Sequence, residues 1–390
     1  MGQGKNNTAT LVPEYDFIET PKALAAFLDA IESADMVAVD TEGDSMFHYK
    51  ERLCLIQVSA NGYTAVIDPL SIGDLSSLKP LFRNRRVCKV FHGADYDVRS
   101  LYRDFDIVIH NLFDTQLASV FLGWKETSLE AVVHQRFGVE LDKKYQKKNW
   151  SRRPLPEEMS AYAAADVTHL IPLARILMTE LEQLGRLDWV VEECRLLSGV
   201  RPQEEEDGPM FLKFKGAGRL EPRQLAALEA LLQMRNAIAR QKDRPHFKII
   251  SNVALKKIAV AMPTDLTRLK SSGILSGKQF DMYGRAVMEA IRNASQIPKS
   301  KLPVYPRRKS PRLSRGVPER VKALREWRDE TAARLELDPA LVLNRALIRA
   351  IAVENPTRKA TLGSIDGLHQ WQANSFGGDI LRILRNGNNP

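Results

Sequence analysis

The sequence predicts a layered α/β domain followed by two small all-α domains, over 1–205, 214–298 and 316–390. Three observations predict it. Short apolar runs alternate with helical patterns only as far as about residue 200. The stretch Arg201-Pro-Gln-Glu-Glu-Glu-Asp-Gly-Pro209 then interrupts the chain with charge and breakers, and no strand pattern recurs after it. A second interruption at 296–320 carries Pro298, Pro303, Pro306, Pro311 and Pro318, so it reads as an extended linker. A length of 390 residues fits two or three domains of ordinary size.

The elements follow in order. Met36-Val-Ala-Val-Asp40 is a short apolar run, hence a buried strand that ends in a carboxylate. Arg52-Leu-Cys-Leu-Ile-Gln-Val-Ser59 is rich in β-formers, and Gly62-Tyr-Thr-Ala-Val-Ile-Asp68 follows after a turn, so the two should pair as a hairpin. Val87-Cys-Lys-Val-Phe91 is a further strand. Helical patterns lie near 22–33, 74–83, 95–104, 114–121 and 127–137, with one long helix over 157–184. The two tail blocks share a register. Leu228, Leu231, Met234, Arg235 and Ala239 are spaced as Val321, Leu324, Trp327, Arg328 and Ala332. Asn252-x2-Leu255 matches Asn344-x2-Leu347, and Gly273/Gly284 match Gly367/Gly378, which points to a duplicated helical module.

Composition narrows the function. Hydrophobic residues at 44%, charged residues at 27% and a mean hydropathy of −0.28 exclude wholesale disorder. No run approaches the roughly 18 apolar residues of a membrane span. The first residues lack a secretory apolar core, and Asn6 does not fit a myristoylation start. Cys54, Cys88 and Cys194 form no C-x-x-C, so neither a zinc ribbon nor a disulfide framework is indicated and a reducing cytoplasm is expected. Residues 1–200 hold 22 Lys and Arg against 29 Asp and Glu, whereas 201–390 hold 35 against 19. An acidic half joined to a basic half points to a nucleic-acid partner.

The acidic half places carboxylates at element ends. Glu42 follows Asp40 at i+2 and faces the same way on a strand. Asp97 lies just past the apolar run that ends at Phe91, and Tyr162 and Asp166 share one helical face at i, i+4. Oxygen donors of this kind suit Mg²⁺ or Mn²⁺, and two such ions about 3.5–4 Å apart can clamp a phosphodiester. Taken singly, Asp40 would also serve to cap a turn, Asp97 a helix, and Asp166 to pair with a lysine.

As a set, Asp40-Thr-Glu42, His92-x4-Asp97 and Tyr162-x3-Asp166 resemble, in this order, the three exonuclease motifs of the ribonuclease D family. The family belongs to the Tyr-containing branch of the DEDD superfamily. Leu53-Cys-Leu-Ile-Gln57, Phe113-Asp-Thr-Gln116 and the run from Leu141 to Pro154 are similar to it as well. The block from about 214 to 298 resembles the helicase-and-RNase-D C-terminal domain, and the block from about 316 looks like a diverged copy.

The resemblance implies a ribonuclease-H-like exonuclease fold and a metal-dependent 3′→5′ exoribonuclease that releases nucleoside monophosphates. The expected substrate is RNA with a free 3′ end, tRNA precursors among them, and a monomer is favoured. Asp40, Glu42, Asp97 and Asp166 would hold two divalent ions, Mg²⁺ or Mn²⁺, and Tyr162 would orient the attacking water. His92 and His169 read as structural.

Substrate contacts are expected from Met46 and His48 (with Tyr49) wedged against terminal bases. Lys143, Lys147 and Arg152 would contact phosphates, Trp150 would stack on a base, and Lys256 and Lys257 would contact RNA on the first tail block. A DNA exonuclease would use the same site residues. A non-catalytic RNA-binding adaptor would leave four aligned carboxylates unexplained. A helicase is excluded by the lack of a G-x4-G-K-[ST] loop.

Overall fold

In the computed structural model, residues 14–202, 208–306, 314 and 316–386 are described. The centre of the first expected linker, 203–207, and the basic stretch 307–313 of the second lie outside them. The chain forms two compact units. One comprises 14–43, 53–202 and the last helical block, and the other comprises 44–52 and 208–306.

The first unit is built on a six-stranded sheet. Its strands are β1 (Asp16–Ile18), β2 (Met36–Gly43), β3 (Leu53–Ala60), β4 (Tyr63–Ile67), β5 (Cys88–Phe91) and β6 (Leu112–Asp114), in the order β1-β4-β3-β2-β5-β6. β3 runs antiparallel to both of its neighbours, β2 and β4, while β1–β4, β2–β5 and β5–β6 pair in parallel. The β3–β4 hairpin turns on Asn61 and Gly62, both at positive φ (50° and 84°). That is the backbone of the two-residue turn whose twist matches paired strands, and Asn-Gly adopts it most readily. The expected strands at 36–40, 52–59, 62–68 and 87–91 are thus present.

The expected single helix over 157–184 is two helices, Glu157–Thr168 and Leu170–Gln183, divided at His169. Pro172 explains the division. It has no N–H to give the Thr168 carbonyl, but it fits the first turn of a new helix, where N–H groups have no intrahelical partner. The pattern at 74–83 yields only a 3₁₀ turn and a short helix, Lys79–Arg83.

The two tail blocks repeat one another helix by helix. Pro222–Gln241, His246–Ile249, Asn252–Ala261, Leu266–Ser271 and Gly277–Gln296 recur as Val317–Leu335, Pro339–Val342, Arg345–Glu354, Lys359–Gly363 and Gln370–Asn386. The matched arginines do the same work. Arg235 Nη1 donates to Ile250 O (2.9 Å) and Arg328 Nη1 to Leu343 O (3.4 Å), in each case 15 residues further on.

The blocks differ in their surroundings. The second shares one continuous core with the α/β layer, in which Val317, Leu324, Ile351 and Trp371 pack together with Phe121 and Cys194. Trp189 stacks on Trp371 at 4.7 Å, and Glu192 accepts from the backbone N–H of Gln370 and Trp371 (2.6 and 2.8 Å). Buried Arg186 bridges Phe121 O and Leu335 O (2.8 and 2.7 Å). In the other unit, Tyr49 and His48 dock on the first block. Tyr49 Oη donates to Asn236 Oδ1 (2.8 Å), and His48 Nδ1 lies 2.7 Å from Asp243 Oδ2.

Candidate active site

β2 carries the first two carboxylates. Its apolar start, Met36 to Val39, is buried, and the strand then emerges with Asp40 and Glu42 half-buried on one face. The Glu157–Thr168 helix crosses β2, β3 and β4 on that face. Ala163 and Ala164 are fully buried beneath it, and side chains this small let the helix come close. The same helix brings Tyr162 and Asp166 to the strand. One carboxylate oxygen each from Asp40, Glu42 and Asp166 lies within 4.8 Å of the others.

Asp97 adjoins this trio from the first turn of the Asp95–Phe105 helix, and the Thr41 hydroxyl donates to its Oδ1. That helix start is held by a residue of the Phe113-Asp-Thr-Gln116 run to which the sequence alone assigns no role. Asp114 accepts from the N–H of Gly93 (2.9 Å) and Ala94 (2.8 Å) and also caps its own helix at Gln116. Gly93 has φ +77°, and a Cβ there would sit 3.0 Å from Gln116 Oε1, so glycine is needed at the turn.

The electrostatics of the cleft are those of crowded acids. Burial, then the Asp166 charge, pushes the Asp40 carboxyl up to about 8. Burial pushes Asp166 up to about 7, against the opposing hydrogen bond from the Tyr162 hydroxyl. Glu42 and Asp97 are likewise held well above the carboxylate range, by burial first and the Asp40 charge second. Burial and the neighbouring carboxylates raise the Tyr162 hydroxyl as well, so it stays protonated.

The cleft holds about 320 Å³ and is lined by Asp40, Glu42, Tyr162 and Asp166 together with Gln116, Glu130, Asp142, Lys143 and Gln146. Lys143 is the only Lys or Arg among these lining residues, and Glu130 pairs with it. Clustered carboxylates with so little internal compensation fit divalent cations, which take oxygen donors and would relieve the repulsion.

Other expected contacts fall differently. Trp150 does not offer a stacking face. It is 1% exposed, and its ring packs 6.1 Å from that of Tyr162. The reason is Arg153, which sequence reasoning also missed. Its guanidinium makes two 2.6 Å bonds to buried Asp68 and bonds Cys54 O and Trp150 O, pinning the basic run against the sheet. Lys147 and Arg152 are exposed on that run. Met46 and His48 are not among the residues lining the cleft and belong to the unit of the first helical block. Lys257 is exposed and Lys256 half-buried on the Asn252–Ala261 helix. His92 braces the turn, contacting Thr115 Oγ1 and Thr127 O at 2.9 Å each, and His169 stacks on Phe137.

Known proteins share this arrangement. Residues 15–182 match the family described as 3′–5′ exonuclease, and 224–291 and 318–384 each match the HRDC domain. Ribonuclease D of Acidiphilium cryptum is 34% identical over 95% of this chain and 93% of its own length. That of Escherichia coli is 33% identical over 74% of this chain and 77% of its own. The crystal structure of E. coli RNase D, described as an exoribonuclease involved in structured RNA processing, superposes with a TM-score of 0.70 at 28% identity. It covers 96% of this chain and 99% of that one. With the repeated helical blocks and the carboxylate cleft, these likenesses lead to one conclusion: the chain belongs to the ribonuclease D family of 3′→5′ exoribonucleases.

Proposed function

We propose that this chain hydrolyses RNA one nucleotide at a time from a free 3′ end with the help of two divalent ions, Mg²⁺ or Mn²⁺. It would release nucleoside 5′-monophosphates, acting as a monomer in the cytoplasm. The observation that carries the reading is the convergence of Asp40, Glu42 and Asp166 oxygens within 4.8 Å, beside Tyr162. Asp40, Glu42, Asp97 and Asp166 would hold the cations. Bound there, the cations would supply positive charge that favours deprotonation of a water and departure of the 3′-oxygen.

The chain's own groups do the rest. Tyr162 is held protonated, so its hydroxyl can position a water but cannot take its proton. Thr41 fixes the orientation of Asp97, and Asp114 fixes the helix start that carries it. Lys143 at the cleft, with exposed Lys147 and Arg152, provides cations for the phosphates upstream of the 3′ end. The first helical block supplies longer reach. Residues 208–306 hold 18 Lys and Arg against 6 Asp and Glu, whereas 317–386 hold 11 against 9. That imbalance favours structured RNA, in keeping with the description of the E. coli relative as involved in structured RNA processing, and 3′ maturation of tRNA and similar precursors is the role this reading assigns.

The test is incubation of the full chain with matched RNA and DNA oligonucleotides, with Mg²⁺, Mn²⁺ or EDTA, and identification of the products. Nucleoside 5′-monophosphates from RNA, lost in EDTA, are expected. Equal cutting of DNA would favour a DNA exonuclease, and binding without cleavage would favour an adaptor.

A further inference from the structure

The sheet face that carries Asp40 and Glu42 holds another polar side chain. Gln57 on β3 stands directly opposite Asp40 on β2 in the antiparallel register, so the two side chains lie side by side on one face. Gln57 is fully buried. Neither its Oε1 nor its Nε2 has a hydrogen-bond partner among the described residues. A buried amide without a partner is unfavourable, and native structures seldom keep one without a use. Methionine or leucine would fill the same space at no such cost. On the far side Gln57 pairs with Val66, which offers no polar group, so Asp40 is its polar cross-strand neighbour.

We propose that Gln57 is a positioning residue for Asp40: with cations in the cleft, its side-chain amide donates to the Asp40 carboxylate and fixes the angle at which that carboxylate faces them. A carboxylate that binds a metal is commonly held by such an outer hydrogen bond, and loss of one typically weakens metal affinity about 10–100-fold. The inference rests on the reading of Asp40 as a cation ligand. It differs from that reading in making a neutral, buried residue responsible for affinity.

The experiment measures Mn²⁺ alone, with no RNA, binding to the full chain by electron paramagnetic resonance. Wild type, Gln57→Met and Asp40→Asn are compared, each with a thermal melt in EDTA. The proposal expects Gln57→Met to melt no lower than wild type yet to bind Mn²⁺ about 10-fold or more weakly. Its turnover should recover at high Mn²⁺, with KM for RNA unchanged. Mn²⁺ affinity within twofold of wild type would overturn the proposal and make Gln57 a passive buried amide. Asp40→Asn separates the two failures. If Asp40→Asn binds Mn²⁺ as wild type does, the cation-ligand reading fails and this inference with it. If Asp40→Asn loses binding while Gln57→Met keeps it, only the inference fails. Should Gln57→Met not fold, Gln57→Leu, branched but with as many side-chain heavy atoms as methionine, carries the same comparison.

Discussion

Asp40→Asn should abolish turnover and, in the metal-free protein, raise stability. The magnitude follows from the cleft. Burial and Asp166 lift the Asp40 carboxyl from 3.8 to about 8. Below pH 3.8 both the folded and unfolded chains hold this proton, and the group contributes nothing. Between there and about pH 8 the folded chain keeps a proton that the unfolded chain releases, so stability falls as pH rises. At pH 7 the gap is about 3 pH units, and at ~1.4 kcal/mol each the ceiling is about 4 kcal/mol. Asp40 is partly exposed, and water in the cleft screens it, which brings the penalty to about 1–2 kcal/mol. Asparagine removes the charge and keeps the shape. For a unit of this size the melting temperature should rise by roughly 2–8 °C. The assay is a thermal melt in EDTA at pH 5 and pH 7.5, wild type against Asp40→Asn. The gain should be clear at the higher pH and shrink to about a third of that at the lower. Excess Mg²⁺ should then stabilise wild type by about 2.7 kcal/mol at 100 times its Kd and leave Asp40→Asn unmoved. A variant no more stable than wild type at pH 7.5, or a gain independent of pH, would refute the account of the cleft as repulsion awaiting cations.

Other outcomes follow from single contacts. Tyr162→Phe keeps the ring packed against Trp150 and Tyr145 but loses the hydroxyl. Turnover should fall about 100-fold or more with RNA affinity nearly unchanged, as single-turnover rates and binding titrations would report. Gly123, at φ +86°, lies against the Glu336 carbonyl, so Gly123→Ala should destabilise by about 1–3 kcal/mol, read from denaturant midpoints. Lys256→Ala and Lys257→Ala should each flatten the slope of log affinity against log salt by about 0.7–0.9 if that lysine touches phosphate, measured with a tRNA precursor. Short single-stranded RNA should be cut as before.

What was legible in the sequence was what is local. Asp40 and Glu42 share a face because a strand repeats every two residues, and Tyr162 and Asp166 because a helix nearly repeats every four. The four central strands announce themselves by apolar runs. β1 and β6 do not, because each is three residues long and exists by parallel pairing with a strand distant in the chain. The break at His169 was legible in Pro172, and the long helical periodicity on both sides hid it. Trp150 sits in a basic run, but what decides its position is Arg153 reaching Asp68, 85 residues away. Asp114 and Gln57 were missed for the same reason. They lie in runs that carry the family resemblance, but they serve the site through partners on other elements, which those runs do not show.

The same distinction governs the tail. Pattern alone makes the two helical blocks alike, because pattern records how each packs internally. What separates them is their outward surface. The first keeps a dense positive charge, while the second uses Trp371, His369 and the N-terminal N–H groups of its last helix to meet Trp189, Glu192 and Glu193 of the catalytic unit. A chain cut after about residue 208 would therefore lose more than RNA contacts. It would expose the Trp189 and Phe121 rings that Trp371 covers and strand the Arg186 guanidinium with one of its two carbonyls. The two copies of one module thus differ in their surfaces: the first carries an excess of positive charge, and the second packs into the core of the catalytic unit.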